Sequence, residues 1–172
     1  MLIRGAHVVT PGRDLGVTSV EVFGGKIVRM GDSPMPSPSG ETLEADGLLL
    51  LPGFVDIHSH GRGGADFCDA TDAAFEKIGR GKLADGVTSF LATGLTRPEE
   101  DLAELCRCAA RYMAKCTVPT WGATCLGVHL EGPFFNQKMA GAQNPAYLRK
   151  PDVGFVDRLN AIAPVRKVSY AP

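Results

Sequence analysis

The sequence lacks a long apolar run, an excess of charge and a paired-cysteine motif. Its apolar stretches fall short of the roughly 20 residues that a membrane-spanning helix needs, so we expect no membrane partner. Lysine and arginine number 18 and aspartate and glutamate 19, which leaves a formal net charge of −1. Such a balance does not indicate nucleic acid or an anionic membrane surface as a partner. The composition is compatible with a small substrate that is neutral or modestly charged.

Signal-peptide and zinc-ribbon patterns are also missing. Residues 1–4 lead directly into strand-like sequence, without the apolar block of a signal peptide. The five cysteines show no Cys-X-X-Cys pair and no zinc-ribbon spacing, and free thiols in a reducing compartment fit this pattern. We therefore expect a cytoplasmic protein. The glycine-rich residues 61–64 lack the lysine and hydroxyl residue of a P-loop.

Two patterns of secondary structure meet near residue 50. Residues 1–50 predict short antiparallel strands, with a hairpin at Gly24-Gly25, and we interpret them as an incomplete part of a small β-sandwich domain. The Pro- and Ser-rich residues 33–40 predict an exposed loop. From residue 51 to 172, strands alternate with helices, as in parallel βα units. We expect an α/β fold in this part of the chain.

The βα pattern repeats at a spacing of roughly 30 to 40 residues, the length of one βα unit. A complete eight-stranded barrel needs roughly 250 residues. We therefore interpret residues 51–172 as the first four βα units of a TIM-type (β/α)8 barrel, incomplete in this chain. The predicted strands are 48–58, 87–93, 124–131 and 166–171, and we expect the first of them to be covered on both faces. Three predicted helices lie between the strands. Their apolar faces carry Phe75, Ile78 and Leu83 in the first, Leu102, Leu105, Cys106, Ala109 and Met113 in the second, and Val153, Val156, Leu159 and Ile162 in the third.

Two histidines follow the first predicted barrel strand. Because side chains alternate along a strand, His58 and His60 are expected to point the same way. They lie at the carboxyl end of the strand, where barrel enzymes assemble their active sites. Paired neutral imidazoles suit zinc or iron. Two histidines on a solvated strand end can also be incidental polar residues.

Glu131 ends another apolar strand and precedes the turn signal Gly132-Pro133. A buried carboxylate at such a position is costly unless it is paired or binds a metal ion. The alternative is a carboxylate satisfied by backbone amides of the next loop. His129 lies on the same predicted face, one pleat deeper, and could orient the carboxylate or the substrate.

Two motifs carry a resemblance to known enzymes. Residues 52–61, PGFVDIHSHG, resemble the first-strand signature of the amidohydrolase superfamily. Residues 129–134, HLEGPF, resemble a motif of the N-acetylglucosamine-6-phosphate deacetylases, and GAQNP follows at residues 141–145. The resemblance covers essentially the whole chain, including residues 86–93 as the second barrel strand and residues 168–172 as the fourth. It identifies the chain as the amino-terminal portion of such an enzyme.

The resemblance implies a metal-dependent amide hydrolase of amino sugar catabolism, which removes the acetyl group from N-acetylglucosamine 6-phosphate. It implies Glu131 as a principal metal ligand and His58 and His60 as further ligands, for one or two ions, with zinc expected and iron as the alternative. Ala142 and Gln143 are implied as substrate contacts. The intact protein is expected to be a homodimer.

The resemblance also implies that further histidine ligands, the general acid/base and the phosphate contacts come after Pro172. No catalytic residue is therefore expected within this chain, and the chain alone is expected to be inactive. Two alternatives stay open. One is another amidohydrolase, dihydroorotase-like or deaminase-like, although Glu131 before Gly132-Pro133 argues against it. The other is a non-catalytic half-barrel that binds a partner chain through its open sheet edge.

Overall fold

The computed structural model describes residues 1–31, 40–116 and 121–171, and the chain forms two compact units, Met1–Pro52 and Gly53–Pro172. The loop predicted at residues 33–40 lies, except for Gly40, outside the described residues. No helix in the described part of the chain is long and apolar enough to cross a membrane. The assignment of residues 1–50 and 51–172 to two incomplete domains stays a prediction.

The first unit is a five-stranded sheet with a small apolar core. Strands β1, β2 and β3 are antiparallel neighbours, while β4 and β5 both run parallel to β1. The predicted hairpin is confirmed, because Gly24-Gly25 has positive φ at both residues and joins β2 to β3. The sandwich stays a prediction, since the described residues of this unit form one sheet. The strands are β1 Leu2–Thr10, β2 Arg13–Phe23, β3 Lys26–Gly31, β4 Thr42–Glu44 and β5 Leu49–Leu50.

The second unit is a four-stranded parallel sheet with helical crossovers. Its strand order is β11-β10-β9-β6, so each strand lies beside the next one along the chain. This confirms an α/β fold with parallel βα units, while closure into a barrel stays a prediction. The elements are β6 Phe54–Asp56, the hairpin β7 Gly61–Arg62 and β8 Ala65–Asp66, α1 Asp72–Ala84, β9 Val87–Gly94, α2 Glu99–Lys115, β10 Thr124–Phe135, α3 Val153–Asn160 and β11 Val165–Ala171; short 3-10 helices span Phe67–Asp69, Gln137–Met139 and Pro145–Tyr147.

Aromatic packing fixes α1 and α2 against the sheet. The Phe67 ring lies 4.9 Å from that of Phe75 on α1 and 5.4 Å from that of Phe90 on β9, and all three side chains are fully buried. Contacts of this kind add to the free energy of burial. The predicted stripe of α2 is buried from Leu102 to Ala109. The Thr71 hydroxyl caps the first turn of α1 by accepting a hydrogen bond from the Ala74 amide.

The apolar run at residues 48–58 is not one strand. Pro52-Gly53 separates β5, which pairs with β1, from β6, which pairs with β9. The prediction that this strand is covered on both faces was wrong, since Phe54 is 56% exposed and Val55 58% exposed. The physical reason is that β6 is an outermost strand of the described sheet and has only β9 as a neighbour.

The predicted end of the third barrel strand at Glu131 was also wrong. Strand β10 continues to Phe135, which pairs with Ala171 of β11, and the register shifts between Glu131 and Phe135. The peptide between Gly132 and Pro133 is cis, and Gly132 has φ of +93°. A proline is tolerated inside a strand at such an irregularity because no ladder hydrogen bond needs its missing N–H. Glu131 therefore lies within the strand, next to the irregularity.

Candidate metal centre

His58 and His60 stand on an irregular segment beyond β6, not on the strand itself. The Asp56 side chain ends the strand by accepting a hydrogen bond from the His58 amide at 3.0 Å, a local bond that competes with strand pairing. The Ser59 amide donates to the Thr93 hydroxyl at 3.1 Å, and the His60 carbonyl accepts from the Phe67 amide at 2.7 Å. These backbone anchors, rather than strand pleating, place the two imidazoles on the same side.

The two imidazoles converge on Glu131. His60 Nε2 lies 3.1 Å from Glu131 Oε2, and His58 Nε2 lies 3.8 Å from Glu131 Oε1. One ligand atom from each of the three residues lies within 4.8 Å of the others. Zinc–nitrogen and zinc–oxygen bonds of about 2.0–2.2 Å place neighbouring ligand atoms roughly 3 to 4 Å apart, so this cluster has the spacing of a metal site.

The chemistry of the cluster fits a divalent cation. Two imidazoles and one carboxylate are ligands that zinc and iron accept. His60 Nδ1 is buried and has no hydrogen-bond partner in the described part of the chain, although buried polar atoms are nearly always paired. This nitrogen is not the one that faces Glu131, so the case for an ion rests on the donor set and its spacing. The metal-ligand role itself stays a prediction.

Glu131 is held in place through its own backbone. The Thr96 hydroxyl, beyond the end of β9, donates to the Glu131 carbonyl at 3.3 Å. A β-carbon at Gly132 would collide with that hydroxyl, and Gly132 also needs its positive φ. The Gly132 position therefore tolerates only glycine if Thr96 is to stay bound to the strand. The HLEGPF motif thus has a steric reason for the residue after its glutamate.

His129 lies beside His58 and binds the two neighbouring strands instead of Glu131. Its two ring nitrogens bind the Thr93 hydroxyl at 3.2 Å and the Ser169 hydroxyl at 2.8 Å, and its ring lies 5.0 Å from that of His58. Burial, and after it the positive charge of Lys167, lowers the pKa of His129 to about 4. The imidazole is therefore neutral near pH 7. Through these two hydrogen bonds, His129 links β10 to β9 and to β11.

Sequence reasoning missed Lys82, which lies on the buried face of α1. Leu83 was expected on that face, but it is only partly buried, whereas Lys82 is 4% exposed. The helical spacing from Phe75 and Ile78 to residue 82 carries the signal that could have found it. Lys82 Nζ donates to Asp56 Oδ2 at 2.6 Å and to the Ser59 hydroxyl. Partial burial raises the pKa of Asp56, but hydrogen bonds, first from Lys82, outweigh it and leave the pKa below its ordinary value.

The two expected substrate contacts line a cleft beside Glu131. Ala142 and Gln143 bound a cleft of about 230 Å³ together with Leu95, Thr96, Arg97, Asn144 and Tyr147. The Gln143 side chain is buried and its carbonyl accepts from the Thr96 amide at 2.8 Å. Since the Thr96 hydroxyl binds the Glu131 carbonyl, the cleft and the metal cluster share one anchoring residue. Contact with a substrate stays a prediction for both residues.

The cysteines take no part in the cluster, and no disulfide joins the five of them. Burial raises the pKa of the Cys106 thiol to about 12 and that of Cys125 to about 11. Such thiols stay protonated near pH 7 and are poor nucleophiles and ligands.

No protein-family model matches the chain, but individual proteins do. The chain is 34% identical over 154 residues to N-acetylglucosamine-6-phosphate deacetylase of Bacillus subtilis, which covers 89% of the chain and 39% of that protein. It is also 34% identical to N-acetylgalactosamine-6-phosphate deacetylase of Escherichia coli O157:H7, over 80% of the chain and 36% of that protein.

A crystal structure of N-acetyl-D-glucosamine-6-phosphate deacetylase from Mycobacterium smegmatis superposes on the whole chain. The TM-score is 0.80 at 31% sequence identity, and the match covers 47% of that protein. In sequence and in structure, the chain resembles the amino-terminal portion of the N-acetylglucosamine-6-phosphate deacetylases. It spans less than half of the length of these relatives.

Proposed function

We propose that the intact protein is a metal-dependent deacetylase that hydrolyses the acetamide of N-acetylglucosamine 6-phosphate to give glucosamine 6-phosphate and acetate. One observation carries the proposal: the histidine pair and the glutamate of the two motifs come from separate βα units and meet with ligand atoms 3.1 and 3.8 Å apart. Similarity to enzymes of this name supports the substrate class.

His58, His60 and Glu131 would hold the divalent ion, zinc in our proposal, with iron as the alternative and with one or two ions bound. When bound, such an ion supplies a Lewis acid for the acetamide carbonyl and for the water that attacks it. The chain's own residues orient this site: Asp56, Thr93 and Phe67 fix the histidine segment. We assign the general acid/base to no residue of this chain.

The cleft at Ala142 and Gln143 would take the sugar. Thr96 supports this proposal, because it lines the cleft, binds Gln143 through its amide, and binds the Glu131 carbonyl through its hydroxyl. Since a similar protein is named for the galactosamine substrate, the sugar epimer is the first competitor to test. We also expect a cytoplasmic homodimer that acts in amino sugar catabolism.

Turnover by the purified intact protein tests the proposal, measured as acetate release for the two sugar phosphates and as loss of substrate for dihydroorotate. N-acetylglucosamine 6-phosphate, its galactosamine epimer and dihydroorotate are offered at equal concentration, before and after metal removal and after zinc is restored. We expect acetate from the first sugar phosphate, loss of turnover on metal removal and recovery with zinc. Faster turnover of the epimer would overturn the sugar assignment, and turnover of dihydroorotate alone would overturn the reaction.

A further inference from the structure

Lys82 occupies a position where the pattern of α1 calls for an apolar side chain. It lies one turn beyond Ile78 on the buried face, and its ammonium is 5.7 Å from the centre of the Phe90 ring. A buried ammonium is costly unless its charge is paired and its hydrogen bonds are made. The identity of its partners therefore indicates why a lysine is present.

Both partners of Lys82 lie at the segment that carries the histidine pair, one just before it and one within it. Its ammonium donates to Asp56 Oδ2 at 2.6 Å and to the hydroxyl of Ser59, the residue between the two histidines. The other oxygen of Asp56 accepts from the His58 amide at 3.0 Å. One cation on α1 thus fixes the residue before the segment and the residue at its centre.

We propose that Lys82 is a positioning residue for the His58–His60 pair, acting through Asp56 and Ser59 to hold the backbone on which both imidazoles stand. This inference rests on the proposed function, because it assumes that the pair binds a metal ion. The contacts of Lys82 described above reach neither imidazole ring, so its action is indirect. Residues that orient metal ligands in this way typically change metal affinity about 10- to 100-fold when they are replaced.

The test measures metal binding of the intact, metal-free protein by titration with zinc and with cobalt(II) in the presence of a chromophoric chelator. The relevant ion is defined as the one whose binding is lost when His58 and His60 are both replaced by alanine. Lys82→Met should raise the dissociation constant of this ion about tenfold or more and change its cobalt(II) absorption spectrum. The matched control is Lys77→Met, since Lys77 is exposed on the same helix.

Ser59→Ala gives a milder second variant, which removes one acceptor of Lys82 and leaves the ion pair with Asp56. It should raise the dissociation constant of the same ion several-fold. The variant keeps the test decisive if Lys82→Met does not fold. An unchanged dissociation constant and spectrum in Lys82→Met, or in Ser59→Ala when Lys82→Met is unfolded, would overturn the positioning role. If the double histidine variant binds metal like the unaltered protein, the histidine pair is not a metal site, and this failure concerns the proposed function itself.

Discussion

His60 and Glu131 meet at 3.1 Å although the strand that precedes His60 does not pair with the strand that contains Glu131. His60 follows β6 and Glu131 lies in β10, and β9 lies between these strands. Residues at the carboxyl ends of parallel strands converge when the sheet between them twists and curves. The approach therefore depends on β9, which lies between the two strands, and on the backbone bonds that anchor the histidine segment.

Replacing Glu131 tests the central ligand. In the intact protein, Glu131→Gln should lower bound metal and acetate release by orders of magnitude, because it removes the one negative charge of the cluster. Bound metal is measured by elemental analysis after dialysis. Asp101→Asn is the matched control, since it removes an exposed carboxylate on α2 and should leave both quantities unchanged. Full metal occupancy in Glu131→Gln would exclude this residue as a principal ligand.

Replacing Gln143 tests the anchoring of the cleft. Gln143→Leu leaves the buried Thr96 amide without its acceptor, which should lower the free energy of unfolding by about 1–3 kcal/mol. The KM for the sugar phosphate should rise as well. Urea unfolding and steady-state kinetics measure the two effects. Gln137→Leu, at an exposed position, should change neither. An increase in KM without any loss of stability would mean that the bond to Thr96 is not made in solution.

The pairing of Glu99 with two arginines predicts a pH-dependent contribution to stability. Glu99 accepts from Arg158 at 2.6 Å and from Arg149 at 3.0 Å, and these bonds, first that from Arg158, lower its pKa from 4.5 to about 2. Because the folded-state pKa is lowered, the contribution is complete above pH 4.5 and is lost as the pH falls towards 2.

Glu99→Gln should therefore lower the melting temperature at pH 7 by a few degrees at most, as expected for a partly exposed ion pair. The difference from the unaltered protein should shrink as the pH falls below about 4.5. Differential scanning calorimetry over this range measures it. Glu100→Gln removes a neighbouring carboxylate that is 82% exposed, and it should lower the melting temperature by less. A difference that stays constant with pH would exclude the titration of Glu99 as its cause.

The outermost strands of the second unit predict self-association of the 172-residue chain when it is expressed alone. Phe54 and Val55 on β6 and Tyr170 on β11 are largely exposed apolar side chains beside strand edges that have no partner strand among the described residues. Such edges pair readily with other chains. Light scattering after size-exclusion chromatography should show oligomers or aggregates, without acetate release from the sugar phosphate.

A charge on this edge should reduce the association. Val55→Lys on β6 is compared with Val153→Lys on α3, where the side chain is 76% exposed but stands on a helix and not on an outermost strand. Only the first variant should shift the chain towards the monomer. A soluble monomer with turnover from the unaltered chain would contradict both the edge argument and the assignment of the general acid/base to a later segment.

The sequence by itself determined the elements and the candidate ligands of this protein. Apolar periodicity placed α1, α2 and the parallel strands, because burial of one face imposes that periodicity on each element. The two motifs carried His58, His60 and Glu131, and the glycine pair at residues 24 and 25 carried the hairpin. These features depend on residues close together in the chain, so local pattern is enough to recognise them.

Only the tertiary structure decided how these residues meet. The break between β5 and β6, the continuation of β10 past Pro133 and the inward position of Lys82 each depend on a partner far away in the sequence. A local pattern cannot report such partners, because it records which side chains are apolar and not which buried charges find a counter-charge. The 3.1 Å approach of His60 to Glu131 depends on the pairing of β6 and β10 with β9, which joins segments that lie far apart in the sequence.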